Sequence, residues 1–402
     1  MNKKKMTRRE MFRYAGAATV AGAAALIGAR LPGVAEAAEP PAAPALPKIP
    51  RRVLGKTKET IPILLMGGGM KFDPNFDPRL AEGLRFGVNY VDTADCYAGG
   101  ASETGVGGFL AKTGKRKEMW ITTKSCNHTP EGLTRTLRQS LERLKTDQVD
   151  LLYMHQLEHE KFLAPDMADC AERLKKEGKI RFFGFSCHHG NVAELLTKAA
   201  TLPWIDSIMF KYNFRDYGND KLNRAIDAAH KSGIGLIAMK TQGSAVSFED
   251  GVKKFEEKKF SRHQAVLKAV WADERITAAV SHMETLDKMK QNIAAALDKT
   301  ALTAAELNEL HRYADATQHL YCAGCQHICN ACVPAGIQIG TTLRYLMYHD
   351  SYAESAKARQ YFAELPAEAR RIADVDYSAA SAKCPHHIDI AKHMHRAAEV
   401  LA

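Results

Sequence analysis

Four side chains capable of acid–base chemistry follow three apolar stretches in the first half of the chain. Asp92 closes the first stretch, and Tyr97 follows five residues later. Lys124 ends the second stretch and His155 ends the third. Apolar, β-branched runs of this kind are typical of strands in a parallel sheet, and the carboxyl ends of such strands meet at one rim of a barrel. The four side chains are therefore expected to lie together.

A group of Asp, Lys, Tyr and His has a definite chemical use. A lysine ammonium held by a carboxylate lowers the pKa of a neighbouring phenol, so that the phenol exchanges a proton near neutral pH. A histidine beside the phenol can hydrogen-bond a carbonyl group and orient it. Such a group can protonate an oxygen while a hydride reaches the attached carbon. No side chain supplies a hydride, so the chemistry requires a redox cofactor.

The elements that must position these groups are predicted from the alternation of short apolar runs with amphipathic stretches of helical period. Eight strands are predicted, at 61–66, 88–92, 120–123, 149–154, 182–185, 207–210, 235–239 and 278–280. Eight helices are predicted, at 79–86, 103–112, 130–144, 166–177, 191–200, 221–232, 262–273 and 284–296. The pattern predicts an α/β fold, a (β/α)8 TIM barrel over residues 51–315, followed by a small, mainly helical C-terminal region over 316–402.

The sequence resembles the aldo-keto reductase superfamily over roughly residues 51–292. Besides the four side chains, the resemblance rests on Arg52-Val-Leu-Gly-Lys-Thr57, Gly67-Gly68-Gly69 and Ser102-Glu103. It implies that Tyr97 is the general acid or base, that Asp92 and Lys124 set its pKa, and that His155 orients the substrate. It also implies a small-molecule carbonyl or alcohol substrate and NADP or NAD as the hydride carrier.

Each of the four side chains would also suit an ordinary structural role. Asp92 suits a helix N-cap or an ion pair, and Tyr97 a loop aromatic. Lys124 suits a charge at the rim, and His155 a core histidine. Their occurrence in order at three strand ends favours the catalytic interpretation. A non-catalytic binding or assembly factor on the same scaffold is the alternative function.

The resemblance also implies a cofactor site at the later strand ends. Ser186 matches a carboxamide-binding serine, whereas Cys187 and Met209 stand where the family commonly has asparagine and glutamine. His282 and Lys288 replace basic residues that contact a 2′-phosphate, so NADP is favoured only slightly over NAD. The expected cofactor-binding residues are Ser186, Met209, Lys240, His282, Lys288 and Asn292.

A cysteine-dense segment follows the barrel, and its arrangement resembles that of bacterial ferredoxins, in which a remote Cys-Pro completes a cluster. The cysteines are Cys322, Cys325, Cys329, Cys332 and, before Pro385, Cys384. One 4Fe-4S cluster is predicted, for electron transfer to a partner or for structure, because thiolates are soft ligands. The favoured ligand set omits Cys332, and the alternative set omits Cys384.

Three alternatives to a cluster stay open for these cysteines: a zinc site, disulfides with one cysteine unpaired, and idle thiols. The cysteines of the barrel share no metal-binding spacing, so they are expected to be small buried hydrophobic residues. They are Cys96, Cys126, Cys170 and Cys187.

The N-terminal 37 residues resemble a twin-arginine signal peptide. Arg8-Arg9 precede an Ala/Gly-rich run, and Ala35-Glu36-Ala37 suits a cleavage site. Residues 38–50 are rich in proline and predict an extended linker. Periplasmic or otherwise exported localisation through the twin-arginine machinery is expected, with no stable membrane span after cleavage.

The formal charge of the 402 residues is +10, which raises the question of nucleic acid as a partner. The first 37 residues hold seven Lys or Arg against two Glu, a net +5, so the rest of the chain carries only +5. A modest excess of this kind is typical of a solvated surface. Nucleic acid is therefore not expected to be a partner.

Overall fold

The computed structural model describes residues 46–243 and 261–402. The predicted signal peptide and most of the predicted linker lie outside the described residues. Residues 46–402 form one compact unit. Within the described ranges, no helix combines the length and apolar character needed to cross a membrane.

Eight parallel strands form a closed barrel, in which β3 to β9 pair in chain order and β10 closes the ring between β9 and β3. The strands are β3 (Leu64–Gly67), β4 (Tyr90–Asp92), β5 (Trp120–Ser125), β6 (Val149–Met154), β7 (Ile180–Cys187), β8 (Ser207–Lys211), β9 (Gly235–Met239) and β10 (Ala278–Ser281). A hairpin of β1 (Arg51–Val53) and β2 (Thr60–Pro62) precedes them. The predicted barrel fold is confirmed.

Among the described residues a helix follows each barrel strand, and five of these eight helices have a side-chain cap at the N-terminus. Asp77 and Thr129, for example, each accept a hydrogen bond from the first turn and are followed by proline at the first helical position. The helices are α1 (Pro78–Phe86), α2 (Ala101–Thr113), α3 (Pro130–Leu144), α4 (Pro165–Lys176), α5 (Val192–Ala199), α6 (Asp220–Lys231), α7 (Arg262–Ala272) and α8 (Leu286–Leu297).

The interior of the barrel is filled by large side chains at its amino-terminal end. The Trp120 ring stacks between those of Tyr90 and Phe182, at centroid distances of 5.6 and 5.7 Å. Leu54, directly after β1, and Ile61 of β2 are fully buried in the same cluster. The hairpin therefore closes this end, which leaves the carboxyl ends of the strands as the open rim.

The register of the strands brings the catalytic candidates to one level. Asp92 is the partner of Gly67 on one side and of Thr122 on the other. Lys124 follows Thr122 by two residues, so the two side chains emerge on the same face of β5. Lys124 therefore lies two residues closer to the carboxyl end of the barrel than the partner of Asp92, within reach of the Asp92 carboxylate.

The C-terminal region, which follows α9 (Ala304–Ala316), is helical, as predicted. Its helices are α10 (Gln326–Asn330), α11 (Ile339–Asp350), α12 (Ser355–Ala363), α13 (Ser378–Ala382) and α14 (Ile390–Leu401). A separate hydrophobic core, which includes Leu343, Phe362, Tyr377 and Met394, holds α11 to α14 together. This region, called the tail below, starts at residue 316.

Candidate active site

The structure brings the four predicted catalytic side chains together at the rim. The Nζ atom of Lys124 lies 2.6 Å from Oδ1 of Asp92 and 3.2 Å from the hydroxyl oxygen of Tyr97. The rings of Tyr97 and His155 meet edge to face at a centroid distance of 5.4 Å. Three strand ends thus supply one continuous acid–base group.

Lys124 is the centre of this group and is buried, with 1% of its surface exposed. It donates to the carbonyl oxygen of Thr93 at 2.8 Å in addition to its contacts with Asp92 and Tyr97. Burial lowers the pKa of Lys124, but Asp92 and then Tyr97 raise it by more, so the net pKa is raised. The ammonium therefore stays charged, and its charge is balanced inside the barrel by one carboxylate.

The pKa of Tyr97 corrects the expectation drawn from the sequence. Burial raises this pKa above its ordinary value, and the attraction of Lys124 lowers it by a smaller amount. The predicted effect of Lys124 has the right direction, but the predicted net lowering is wrong because desolvation of the phenolate outweighs it. In this structure the phenol is therefore protonated at neutral pH.

His155 is buried, and its pKa is lowered to about 2 by burial and by the positive charges of Lys124, His128 and Lys240. The imidazole is therefore neutral at every ordinary pH. A neutral imidazole can donate or accept a hydrogen bond but does not act as a cationic acid. This state suits the orienting role predicted for His155.

A tight turn directs Tyr97 toward Lys124. Ala98, Gly99 and Gly100 have φ angles of 49°, 61° and 89°, all in the left-handed region. For Ala98 this conformation is strained, and such strain persists where the surroundings enforce it. Ser102 holds the start of α2 by donating to the carbonyl oxygen of Gly68 at 2.6 Å.

A cavity of about 730 Å³ opens between the rim and the tail, and Asp92 and Tyr97 lie in its wall. It is also lined by five of the six predicted cofactor-binding residues: Met209, Lys240, His282, Lys288 and Asn292. Ser186 is absent from this wall. Its hydroxyl oxygen instead accepts a hydrogen bond from the backbone N–H of Gln156 at 3.1 Å.

The predicted phosphate-contacting residues are engaged by a carboxylate. Glu284 lies 3.2 Å from Lys288, 3.5 Å from His282 and 2.6 Å from Lys357 of the tail. Burial lowers the pKa of His282 to about 4, so this imidazole is neutral. The basic character expected of His282 and Lys288 is therefore partly neutralised by Glu284.

Lys240 adds a titratable amine to the cavity. It lies in the cavity wall and keeps part of its surface exposed. Partial burial and the repulsion of Arg344 and Lys357 lower the pKa of Lys240 to about 7. Its φ of 57° places the residue in the left-handed region at the end of β9. Such shifts cluster at functional sites.

The tail supplies cavity residues that the sequence analysis missed. Arg344 and Lys357 lie in the wall opposite the barrel, and Lys211 lies in the barrel wall below them. Lys211 donates to the carbonyl oxygen of Ala323 at 3.2 Å, which ties β8 to the cysteine segment. Lys211 follows an apolar strand run, a signal that could have marked it. Nothing in the spacing of Arg344 or Lys357 indicated their positions.

Four of the five tail cysteines surround one small cavity of about 20 Å³. They are Cys322, Cys325, Cys329 and Cys384, and Cys332 is absent from the lining. Burial and the proximity of other cysteines raise the pKa of Cys322, Cys325 and, to about 12, Cys329. Cys322 also lies in the wall of the large cavity, so the two cavities adjoin.

The barrel cysteines divide into two pairs. Cys170 and Cys187 are buried, as predicted. Cys96 and Cys126 are exposed, so the prediction is wrong for them. Their sulfur atoms lie 3.2 Å apart, and the hydrogen bond from Cys126 lowers the pKa of Cys96. The prediction failed because Cys96 and Cys126 follow the ends of neighbouring strands. Spacing along the chain, on which the prediction rested, does not reveal this.

Comparison with known proteins assigns the chain to one family. The Aldo/keto reductase family model matches residues 76–317. The chain is 31% identical over 149 residues to the uncharacterized oxidoreductase YqkF of Bacillus subtilis, covering 34% of this chain and 47% of that protein. It is 27% identical over 184 residues to the aldo-keto reductase yakc [NADP(+)] of Schizosaccharomyces pombe, covering 41% and 52%. The chain thus spans about half the length of these two relatives.

A longer match is to the L-galactose dehydrogenase of Arabidopsis thaliana, 23% identical over 291 residues, covering 63% of this chain and 90% of that protein. Among solved structures, a thermostable aldo-keto reductase bound to the inhibitor epalrestat has a TM-score of 0.55 at 25% identity, covering 66% and 99%. An aldo-keto reductase from Klebsiella pneumoniae with NADP and acetate has a TM-score of 0.53 at 20% identity, covering 67% and 95%. At 20% identity the latter shows the fold alone. With the family model spanning more than half of the chain, this protein belongs to the aldo/keto reductase family.

Proposed function

We propose that this protein is an exported oxidoreductase of the aldo-keto reductase type. It transfers a hydride between a nicotinamide cofactor and a carbonyl or alcohol substrate, and its tail carries one 4Fe-4S cluster. The observation that carries the proposal is the contact chain from Asp92 through Lys124 to Tyr97, in the wall of a large cavity.

In the direction of reduction, the roles of the side chains follow from their protonation states. Bound NAD(P)H supplies the hydride to the carbonyl carbon. Tyr97 gives its phenolic proton to the carbonyl oxygen, and the product is an alcohol. Lys124 stabilises the phenolate left behind, while Asp92 keeps the buried ammonium charged. His155, neutral, holds the carbonyl oxygen by a hydrogen bond.

The cavity has the charge required for a dinucleotide. Lys211, Lys240, Arg344 and Lys357 all lie in its wall and suit a pyrophosphate. NADP is supported by the yeast relative named for NADP(+). Glu284 opposes this preference, because a carboxylate there repels a 2′-phosphate and can accept a hydrogen bond from a ribose hydroxyl.

The small cavity in the tail fits the cluster proposal. Its four thiols come from the segment before α10, from α10 itself and from the residues after α13. The surrounding Ile328, Leu343, Ile388 and Ile390 are apolar and keep water away. Thiolates are the usual ligands of iron–sulfur clusters, which supply one-electron transfer or a structural crosslink. The ligand set with Cys384 rather than Cys332 agrees with this lining.

Export is proposed from the N-terminal motif alone. The twin-arginine route carries folded proteins that already hold their cofactors, which suits a protein with a cluster and a nucleotide. Cell fractionation is the test. Replacement of Arg8 and Arg9 by lysine should retain the full-length chain in the cytoplasm, and unchanged export would contradict the assignment.

The test of the enzymatic proposal uses the full chain with NADPH, or NADH, and benzaldehyde as the carbonyl probe, followed by nicotinamide absorbance. Tyr97→Phe should abolish turnover, while dinucleotide binding by calorimetry stays as in the wild type. Tyr212→Phe is the matched control, because Tyr212 is buried, is absent from the cavity wall and donates its hydroxyl to Asp273. Equal turnover in the wild type and Tyr97→Phe would refute the role of Tyr97. A wild type that binds no dinucleotide would favour the non-catalytic binding factor.

A further inference from the structure

A second group of side chains at the rim has a composition that hydride transfer does not require. Cys96 lies after β4, Cys126 lies after β5, and His155 lies at the end of β6. Asp95 completes the group, and one ligand atom from each of the four side chains lies within 4.8 Å of the others. Two thiols, an imidazole and a carboxylate form a donor set that suits a thiophilic divalent cation.

The distances within the group distinguish a cation from a disulfide. The sulfur atoms of Cys96 and Cys126 are 3.2 Å apart, and Nδ1 of His155 lies 3.3 and 3.4 Å from them. A disulfide would require about 2.05 Å between the sulfurs. Two Zn–S bonds of about 2.3 Å at a tetrahedral angle place the sulfurs about 3.8 Å apart. The observed separation is closer to the arrangement around a cation, and a disulfide would leave Oδ1 of Asp95 without a partner.

Asp95 gives an independent indication. Its Oδ1 atom is shielded from solvent and has no hydrogen-bond partner among the described residues. Leaving a buried carboxylate oxygen unsatisfied is unfavourable unless a proton donor or a cation occupies the space beside it. A cation bound to the two sulfurs would lie within reach of the carboxylate of Asp95, one oxygen of which lies within 4.8 Å of the other ligand atoms. The thiols themselves are exposed, so a cation from solution has access.

We propose that four side chains at the barrel rim form a binding site for one Zn²⁺ ion: Asp95, Cys96, Cys126 and His155. With four protein ligands the site is closed and ties together the loops after β4 and β5 and the end of β6. Coordination through Nδ1 leaves the imidazole proton on Nε2 of His155. The cation thereby fixes a hydrogen-bond donor beside Tyr97. The assignment rests on the donor geometry and is independent of whether the tail holds iron.

The experiment measures cation binding to the reduced full chain and to the double variant Cys96→Ser/Cys126→Ser. Because both proteins retain all five tail cysteines, the difference between them reports the rim site alone. Titration with Co²⁺ should give one equivalent more thiolate-to-cobalt charge-transfer absorbance in the wild type. Cys170→Ser is the matched control, since Cys170 is buried on α4, and it should behave as the wild type. Equal Co²⁺ binding by the wild type and the double variant would overturn the proposal.

A second measurement needs no variant. Zn²⁺ should slow the alkylation of Cys96 and Cys126 by iodoacetamide in the unmodified chain, as followed by peptide mass spectrometry. Unchanged alkylation of both cysteines would overturn the site even if the double variant failed to fold. A disulfide-linked peptide containing Cys96 and Cys126 in the protein purified without reductant, together with no extra Co²⁺ equivalent after reduction, would replace the cation site by a disulfide.

Discussion

The barrel rim and the tail place their reactive side chains in different ways. At the rim, Asp92, Lys124 and His155 lie at the carboxyl ends of three consecutive strands, so the register of the barrel fixes their relative heights. In the tail, the four clustered cysteines come from irregular segments and short helices packed around a separate core. Strand pairing determines the first arrangement almost entirely. The second depends on side-chain packing and on whatever the thiols bind.

The two regions nevertheless share a boundary. Cys322 lies in the walls of both cavities, and Lys211 of β8 contacts the cysteine segment through Ala323. Lys357 of α12 reaches Glu284 beyond β10. The tail therefore forms part of the wall of the large cavity. Substitutions at the rim and in the tail can separate the contribution of each region to turnover and cofactor binding.

The largest effect is expected at the rim. Lys124→Met should lower turnover by about 10²- to 10⁴-fold, because the phenolate of Tyr97 loses its neighbouring charge. It should also lower the free energy of unfolding by about 3–5 kcal/mol, because the carboxylate of Asp92 is left buried and unpaired. Steady-state kinetics and urea denaturation measure the two effects. Lys112→Met, at an exposed position of α2, is the control, and similar turnover in both variants would contradict the role of Lys124.

In the tail, the expected effect is loss of the metal cofactor. Cys384→Ser should remove the iron and the visible absorbance of the anaerobically purified protein, because Cys384 lines the small cavity. Cys332→Ser should retain both, since Cys332 is not part of that lining. Iron analysis measures the difference. If Cys332→Ser loses iron and Cys384→Ser retains it, Cys332 is the fourth ligand instead of Cys384. If both variants retain iron, neither cysteine alone is required for a cluster.

A smaller effect is expected where the two regions meet. Glu284→Gln should increase the affinity for NADP relative to NAD by up to about tenfold, or about 1.4 kcal/mol, because it removes one of the two carboxylates that pair with Lys288 and Lys357 and leaves only Glu354. Calorimetric titration with both dinucleotides measures the ratio. Glu82→Gln, in an exposed pair with Arg85, should leave the ratio unchanged. If Glu284→Gln lowers the affinity for NADP relative to NAD, the 2′-phosphate does not bind beside Glu284.

The smallest effect is expected from pH. Burial keeps the pKa of His155 at about 2, so its protonation does not change in the working range. Burial raises the pKa of Tyr97 above its ordinary value of about 10, and reduction requires the protonated phenol. The turnover number for reduction, measured at saturating dinucleotide, should be level from about pH 5 to 9 and should fall only as pH rises through the pKa of Tyr97. A transition near pH 6.5, the ordinary histidine value, would contradict the neutral state assigned to His155.

The sequence predicted those parts that depend on regular hydrogen bonding. The eight strands, their helices and the meeting of Asp92, Tyr97, Lys124 and His155 follow from periodicity and from the geometry of a barrel. The net pKa of Tyr97 was not predictable, because it is a balance between desolvation and the charge of Lys124. Both effects require the actual depth of burial.

Contacts between segments distant in the sequence were also beyond prediction. The place of Arg344 in the cavity wall and the engagement of Ser186 by Gln156 depend on how loops and the tail pack. The proximity of Cys96 and Cys126 could have been predicted from the sequence, since the two residues follow the ends of neighbouring strands. A search restricted to spacing along the chain does not detect such pairs.

Rim and tail together are proposed to form one enzyme with two cofactors. The decisive measurement is the iron and dinucleotide content of the full chain, purified without oxygen, with the visible spectrum recorded before and after added NADP. We expect iron with broad sulfur-to-iron absorbance and one bound dinucleotide on the same protein. A colourless protein with zinc or disulfides in the tail, or a chain that binds no dinucleotide, would contradict a two-cofactor enzyme.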